Sequence, residues 1–130
     1  MASLIDKLID YTIQYNMAQE RAVDIFMDYM PDEQSTDIII NINEYAGTGN
    51  AIFTDMSVRS IQIQVRSLDV SNARAKCWEL FKLYCKDNLI LEIDNSKMIV
   101  QSRCSPTKLL TDTKGRTIFF FNMAVTTNND

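Results

Sequence analysis

The sequence predicts an α+β domain in which a four-stranded, mainly antiparallel sheet packs against an N-terminal helix and a central helix. Apolar residues recur at helical spacing near residues 4–15 and 73–84. Four other stretches are rich in β-branched and aromatic residues, and one of them alternates strictly between apolar and polar side chains. A chain of 130 residues encloses one core, so we expect a single domain over residues 1–130, with a loose tail at residues 127–130.

The N-terminal helix begins at a capping signal. Ser3 followed by Asp6 has the pattern of a capping box, in which the hydroxyl and the carboxylate satisfy free N–H groups. An apolar stripe then continues to about Tyr15. From Asn16 to Met30 the pattern fits either a short helix or an extended segment, and Pro31 ends it.

Two strands are predicted on either side of a glycine-containing segment. Residues 37–45 (DIIININEY) are β-branched and begin to alternate at Ile40, which indicates a buried strand. Residues 46–55 hold two of the three glycines and are expected to form a loop or a long hairpin tip. Residues 57–67 (SVRSIQIQVRS) are the clearest strand, with one dry face and one polar face. The dry face carries Ile61, Ile63 and Val65, and the polar face carries Gln62, Gln64 and Arg66.

A central helix follows, and Asp69 or Ser71 can cap its first turn. Apolar residues recur along one side of it and charged residues along the other. We expect this helix to lie across the dry face of the sheet. Its buried stripe comprises Ala73, Cys77, Leu80, Phe81 and Tyr84.

The last part of the chain predicts a hairpin. Residues 89–93 are a brief apolar link, and residues 97–105 form a third strand that Pro106 stops. A turn at residues 112–115 joins it to a fourth strand at residues 116–126.

Composition argues against an enzyme. Histidine is absent, which removes the commonest general base and the commonest metal ligand. The formal net charge of −4 disfavours a protein that neutralises phosphates with Lys and Arg. The cysteines Cys77, Cys85 and Cys104 form no CxxC pair, and we expect them to be small buried hydrophobes. We therefore expect no catalytic, cofactor-binding or metal-ligating residue. We also expect no membrane segment, because the longest apolar runs fall far below the roughly 20 residues that span a bilayer.

Two motifs indicate alternatives from other classes. The run KGRTIFFFNM is similar to the aromatic strand of RNA-recognition modules, in which Phe119 and Phe121 would stack on bases. Alternation places both rings on one face and Phe120 on the other, so at least one side is core. Asp32 and Glu44 suggest a magnesium-dependent nuclease, but the lysine that such a site needs after the second acid is missing. We expect a solvated acidic turn there.

The order and spacing of these segments resemble the tail terminator (tail completion) proteins of long-tailed bacteriophages, often labelled minor capsid proteins. The resemblance covers nearly the whole chain. After the N-terminal helix it rests on Met30-Pro31, the strand ending NEYAG, the strand RSIQIQVRS leading into a helix with Ala73 and Ala75, Ser105-Pro106, and the closing DTKGRTIFFFNMAV.

The resemblance implies a non-enzymatic structural protein of the virion tail or neck, assembled in the host cytoplasm. Such a protein forms a ring, usually a homohexamer, on the last layer of the tail tube protein and stops its polymerisation. The ring also presents a surface for the head-tail connector protein, and DNA passes through it without sequence-specific binding. Another head-tail neck or connector component is the nearest alternative.

Eight residues are predicted as ring contacts, because a closed ring needs two different surfaces that fit each other. Apolar side chains on the loop after Tyr45 suit docking onto a partner, although Phe53 folding back onto its own domain is equally compatible. We predict tube or neighbour contacts at Tyr45, Ile52, Phe53 and Met56. On the polar sheet face, where plain solvated surface is the alternative, we predict neighbour contacts at Arg59, Gln62, Gln64 and Arg66.

Overall fold

The computed structural model describes residues 3–32, 38–50, 56–85, 90–93 and 96–128. Two helices pack against one face of a six-stranded sheet with the strand order β1-β2-β3-β6-β5-β4. Neighbouring strands are antiparallel except β1 and β2, which are parallel. The elements in chain order are α1 (Leu4–Gln14), β1 (Ile25–Met27), β2 (Ile39–Asn50), β3 (Met56–Ser67), α2 (Val70–Cys85), β4 (Ile90–Ile93), β5 (Ser96–Thr111) and β6 (Thr117–Asn128).

The α+β class, both helices and the β5–β6 hairpin are confirmed, but the prediction of four strands is wrong. The sheet has two further strands at its margins. One is β1, which forms within the segment that the sequence left ambiguous, and the other is β4, which forms where a link was predicted. Strands of three and four residues are too short to produce a readable alternation.

The predicted end of the third strand at Pro106 is also wrong, because β5 continues to Thr111. Proline lacks an N–H group, so a sheet tolerates it where one side of the strand is unpaired. Among the described residues, β4 pairs only with Ser96–Ile99 of β5, so Pro106 lies on an open edge. On the side that faces β6, a register shift between Cys104 and Thr107 accommodates the proline ring of Pro106.

The loose tail predicted from Thr127 begins too early. Strand β6 runs to Asn128, and Thr127 is buried and pairs with Ser57 of β3. Residues 129–130 of that predicted tail lie outside the described residues.

Helix α1 starts at the predicted capping box. The Ser3 N–H donates to Asp6 Oδ2 at 3.0 Å, and the Asp6 N–H donates to Ser3 Oγ at 3.2 Å. Asp6 also forms an ion pair with Arg21 in the segment before β1. The pKa of Asp6 is lowered to about 2, chiefly by the hydrogen bond from Arg21 and next by the hydrogen bonds from Ser3. One carboxylate therefore both caps the helix and ties it to the chain that enters the sheet.

Helix α2 is capped by Asp69, whose Oδ1 accepts the Ser71 N–H at 2.8 Å. Its predicted stripe faces the sheet, with Phe81 half-buried and the other four side chains fully buried. Near the end of the helix, the Tyr84 hydroxyl donates to the Leu8 carbonyl at 2.7 Å and lies 2.6 Å from Thr12 Oγ1. Tyr84 is fully buried, and this burial raises its pKa. The hydroxyl therefore joins α2 to α1 inside the core.

The core lies between the helices and one face of the sheet, which we call the helix-covered face. It contains the predicted dry side of β3 and the alternate residues of β6 that pair beside it. The opposite side carries side-chain amides, and we call it the amide face. The core residues of the two central strands are Ile61, Ile63, Val65, Phe119, Phe121, Met123 and Val125.

Replacing Tyr84 by Phe is expected to lower the free energy of unfolding by about 1–2 kcal/mol, because Thr12 and the Leu8 carbonyl lose a buried partner. Urea denaturation measures the change. The matched control is Tyr29→Phe, whose ring is 56% exposed and which should change stability by less than about 0.5 kcal/mol. Equal stability of Tyr84→Phe and the parent would contradict the role given to this hydroxyl.

The pH dependence of stability tests the Asp6 contacts. Because folding lowers the pKa of Asp6 from 3.8 to about 2, its contribution is present above pH 4 and lost as the pH falls towards 2. Asp6→Asn should therefore melt at a lower temperature than the parent at pH 7, and the two melting temperatures should converge near pH 2. Asp10→Asn, which changes an exposed carboxylate on the same helix, is the control. If the difference between the melting temperatures of Asp6→Asn and the parent stayed constant with pH, ionisation of Asp6 would not be the cause of the lost stability.

Candidate assembly surfaces

The predicted loop contacts are only partly within the described residues. Tyr45 lies in β2 with its side chain 41% exposed, on the amide face. Met56 begins β3, and its side chain is outside what the structure describes. Ile52 and Phe53 lie outside the described residues. The docking role of this group of side chains stays a prediction.

A row of four side-chain amides crosses three strands on the amide face. Asn41 Nδ2 donates to Gln64 Oε1 at 3.2 Å, and Gln64 Nε2 donates to Gln62 Oε1 at 2.9 Å. The row ends where Gln62 Nε2 donates to Asn122 Oδ1 at 3.0 Å. Asn41, Gln64 and Gln62 each donate to the next amide, and Asn122 accepts the last of these bonds, so each amide orients its neighbour. The sequence correctly placed Gln62 and Gln64 on one polar face, and a role in neighbour contact stays a prediction.

Arg59 does not share that face, so its predicted placement is wrong. Alternation along β3 puts it on the same side as Ile61, opposite Val125 of β6. Its guanidinium reaches Glu44 of β2, with Nε donating to Glu44 Oε2 at 2.7 Å. A bidentate ion pair of this kind restrains both side chains and connects β2 to β3.

Arg66 lies on the amide face but is not open to a neighbour. Only 4% of the residue is exposed, and Nη1 donates to the Pro31 carbonyl at 2.6 Å. Burial lowers the pKa of Arg66 from its usual value. Among the described residues, its Nη2 has no hydrogen-bond partner. Within one copy of the chain, Arg66 therefore supports the segment that follows β1.

The same segment is held by the hairpin turn between β5 and β6. Asp112 Oδ1 accepts the backbone N–H groups of Lys114 and Arg116 at 3.0 and 2.9 Å, and Gly115 has the positive φ of 80° that this turn needs. Arg116 Nη1 then donates to the Asp32 carbonyl at 2.8 Å, and Lys114 Nζ lies 3.2 Å from Asp32 Oδ2. The hydrogen bond from Lys114, and its charge, lower the pKa of Asp32. The predicted hairpin turn is confirmed, and we call this group of contacts the turn clamp.

The aromatic rings of Phe119 and Phe121 in β6 are not exposed for stacking on nucleic-acid bases. Phe119 and Phe121 are both buried on the helix-covered face, where Phe121 packs edge-on against Phe81 with ring centres 5.4 Å apart. The guanidinium of Arg74 lies 5.2 Å from the centre of the Phe119 ring. The alternative of an RNA-binding strand that uses these two rings is therefore wrong.

The two acidic side chains of the nuclease alternative form ion pairs with different basic side chains. Asp32 belongs to the turn clamp, while Glu44 pairs with Arg59. Within the parts of the chain that the structure describes, no three acidic, cysteine or histidine side chains are grouped as a metal site. In those same parts, neither helix has the length and hydropathy to cross a bilayer.

Exposed apolar side chains at the two margins of the sheet were missed by sequence reasoning. At one margin, Ile90 of β4 pairs with Ile99 of β5, and Leu109 and Leu110 lie further along β5, all at least 39% exposed. At the other margin, Val23, Met27 and Tyr29 lie in and around β1. Most of these positions lie in segments that were predicted as a link (Ile90), left ambiguous (Val23, Met27 and Tyr29) or placed beyond the end of the third strand (Leu109 and Leu110). Ile99 lies inside the predicted third strand, whose outward side was not considered. In the sequence, the one sign of exposed apolar side chains at a sheet margin is an apolar residue directly before or after a short, uncertain strand.

Comparison with known proteins gives one family and a shared fold. A family model described as "Bacteriophage tail terminator protein" matches residues 11–129. A search of curated protein sequences found no match. Among solved structures, the chain is similar to one from a "Virion of native gene transfer agent (GTA) particle", with a TM-score of 0.63, 10% identity, and coverage of 88% of this chain and 91% of that one. A second solved chain has a TM-score of 0.54 and 12% identity, covering 95% of this chain and 89% of its own length.

The row of amides generates a prediction on stability. Gln64→Met should lower the free energy of unfolding by about 1–3 kcal/mol, because it leaves the Asn41 amide, which is only 2% exposed, without its acceptor. Gln62→Met is the matched control and should cost less, because its neighbours Gln64 and Asn122 are half-buried and can turn to water. Urea denaturation of both variants tests this order. A larger loss for Gln62→Met would show that Asn41 does not depend on Gln64.

Proposed function

The chain belongs to the bacteriophage tail terminator proteins, and from this membership we propose that it closes the tail tube of a phage as a ring. The family match over residues 11–129 carries the proposal. As a member of this family, the chain is a structural protein of the virion and contacts other proteins of its tail or head. The ring, its partners and its place at the end of the tube are the proposed steps.

The proposed ring is made of identical copies, with six as the expected number. It binds the last layer of tail tube protein and stops further addition, and its other side meets the head-tail connector protein. Every subunit of such a ring uses one surface to meet the preceding copy and a different surface to meet the next. Support comes from the sheet, whose two margins differ in strand length, in charge and in exposed side chains.

The proposed action involves no chemical step. A terminator acts by burying the surface of the tube that the next tube subunit would otherwise cover. The free energy that drives this action comes from association alone. DNA is proposed to pass through the ring without sequence-specific binding. The formal net charge of −4 supports this, because retention of a polyanion depends on lysine and arginine at the surface.

Electron microscopy of tail tubes tests the proposal directly. Tube protein that polymerises alone should give tubes of uncontrolled length, and adding this chain should give shorter tubes with a ring of density at one end. Heat-unfolded chain is the control and should change nothing. Tube lengths that are the same with and without the folded chain would refute the proposal.

The nearest alternative is another neck or connector component of the virion. It makes a different prediction in the same experiment, because such a component would bind head-side proteins and be absent from isolated tubes. Binding to isolated tubes separates the two functions, because the proposed ring also meets the connector protein whereas a neck component would not bind a bare tube.

A further inference from the structure

The margin formed by β4 and β5 is long, basic and apolar. Among the described residues, Val100–Thr111 of β5 pairs with β6 on one side and with no strand on the other. Strand β5 contains Lys97, Arg103 and Lys108, all exposed, and no carboxylate. The exposed Glu92 of β4 lies opposite Lys97, so the excess of positive charge is at Arg103 and Lys108. The exposed side chains of Ile99, Leu109 and Leu110 lie on the same strand. We call this margin the basic edge.

The margin formed by β1 is acidic and apolar. Residues 20–32, which include β1 and the turns around it, contain four carboxylates and one arginine. That arginine, Arg21, is already paired with Asp6 of α1. Of the four carboxylates, Asp32 is already paired with Lys114 and Arg116 in the turn clamp. Asp24 accepts the backbone N–H groups of Gln19 and Glu20. Glu20 and Asp28 are exposed, and the exposed side chains of Val23 and Tyr29 lie between and beside them. We call this margin the acidic edge.

We propose that copies of this chain associate head to tail, with the basic edge of one copy against the acidic edge of the next. The inference rests on the proposed ring and adds the two surfaces that meet in it. Charge complementarity selects this arrangement, because two basic edges or two acidic edges brought together would repel. Apolar side chains at both edges supply surface to bury at the centre of the contact.

Side chains, not a continuous ladder of backbone hydrogen bonds, form this contact. Pro106 has no N–H group to donate, and β5 has register shifts between Ser102 and Cys104, between Cys104 and Thr107, and between Lys108 and Leu110. Charges, proline and bulges on an edge strand prevent unselective strand addition. The same features leave the side chains of the basic edge exposed for a partner with opposite charge.

Reversing the charge of one edge at a time tests the proposal. The first variant is Arg103→Glu with Lys108→Glu, which makes the basic edge acidic. The second is Glu20→Lys with Asp28→Lys, which changes the formal charge of residues 20–32 from −3 to +1 and so makes the acidic edge basic. Each variant alone should associate roughly tenfold or more weakly than the parent, as measured by analytical ultracentrifugation at low salt and by ring density on tube ends.

An equal mixture of the two variants should recover association, because each kind of edge then meets its opposite at every contact of an alternating ring. Lys82→Glu, a charge reversal on the exposed side of α2, is the control and should associate like the parent. Circular dichroism and thermal unfolding establish that every variant folds.

The outcomes separate this inference from the proposed function. If the parent and both variants cap tubes equally well, the edge contact is wrong and the terminator function stands. If the parent leaves tube lengths unchanged but self-associates and follows the charge-swap pattern, the function is wrong and the contact stands. Failure of the second variant to weaken association would show that the acidic edge is not part of the contact and would overturn the head-to-tail arrangement. A parent that stays monomeric in solution and on tubes overturns the inference.

Discussion

The pairing of β3 with β6 is the constraint on which the rest of the structure depends. The two strands pair from Met56–Asn128 to Ser67–Thr117 without a register shift, in the middle of the sheet. Because side chains alternate along a strand, this register sends isoleucine, valine and phenylalanine to the helices and glutamine and asparagine to the other side. A slip by one residue would exchange the two faces and bury the amides, so the pattern of both strands enforces one register.

The helices and the margins follow from that central pair. Tyr84 fastens α2 to α1 over the dry face, and Asp6 fastens α1 to the segment before β1. Strands β2 and β5 then add on either side of the central pair, and their outer sides are only partly covered by β1 and β4. Among the described residues, the margins are therefore the parts of the sheet that one copy of the chain leaves incomplete, with an unpaired side of β5 at one margin and exposed apolar side chains at both.

Much of this organisation was predictable from the sequence, and the failures have physical causes. The alternation of Ile61, Gln62, Ile63 and Gln64 predicted a strand and its two faces, and the Ser3 and Asp6 pair predicted the start of α1. Strands β1 and β4 depend on pairing with distant residues and have no local pattern of their own. Among the candidate contacts, the face of Arg59 followed from the same alternation and was overlooked. The burial of Arg66 depends on Pro31, a contact that only the folded chain makes.

The turn clamp has a consequence for the geometry of assembly. It joins the β5–β6 hairpin, next to one margin of the sheet, to the segment that follows β1 at the other margin. The contact thereby restrains the angle between the two margins within one copy of the chain. If neighbours meet through these margins, that angle is the rotation from one subunit to the next. A fixed wedge angle that divides a full turn evenly closes a circle with a definite number of members, whereas a variable angle would allow open spirals.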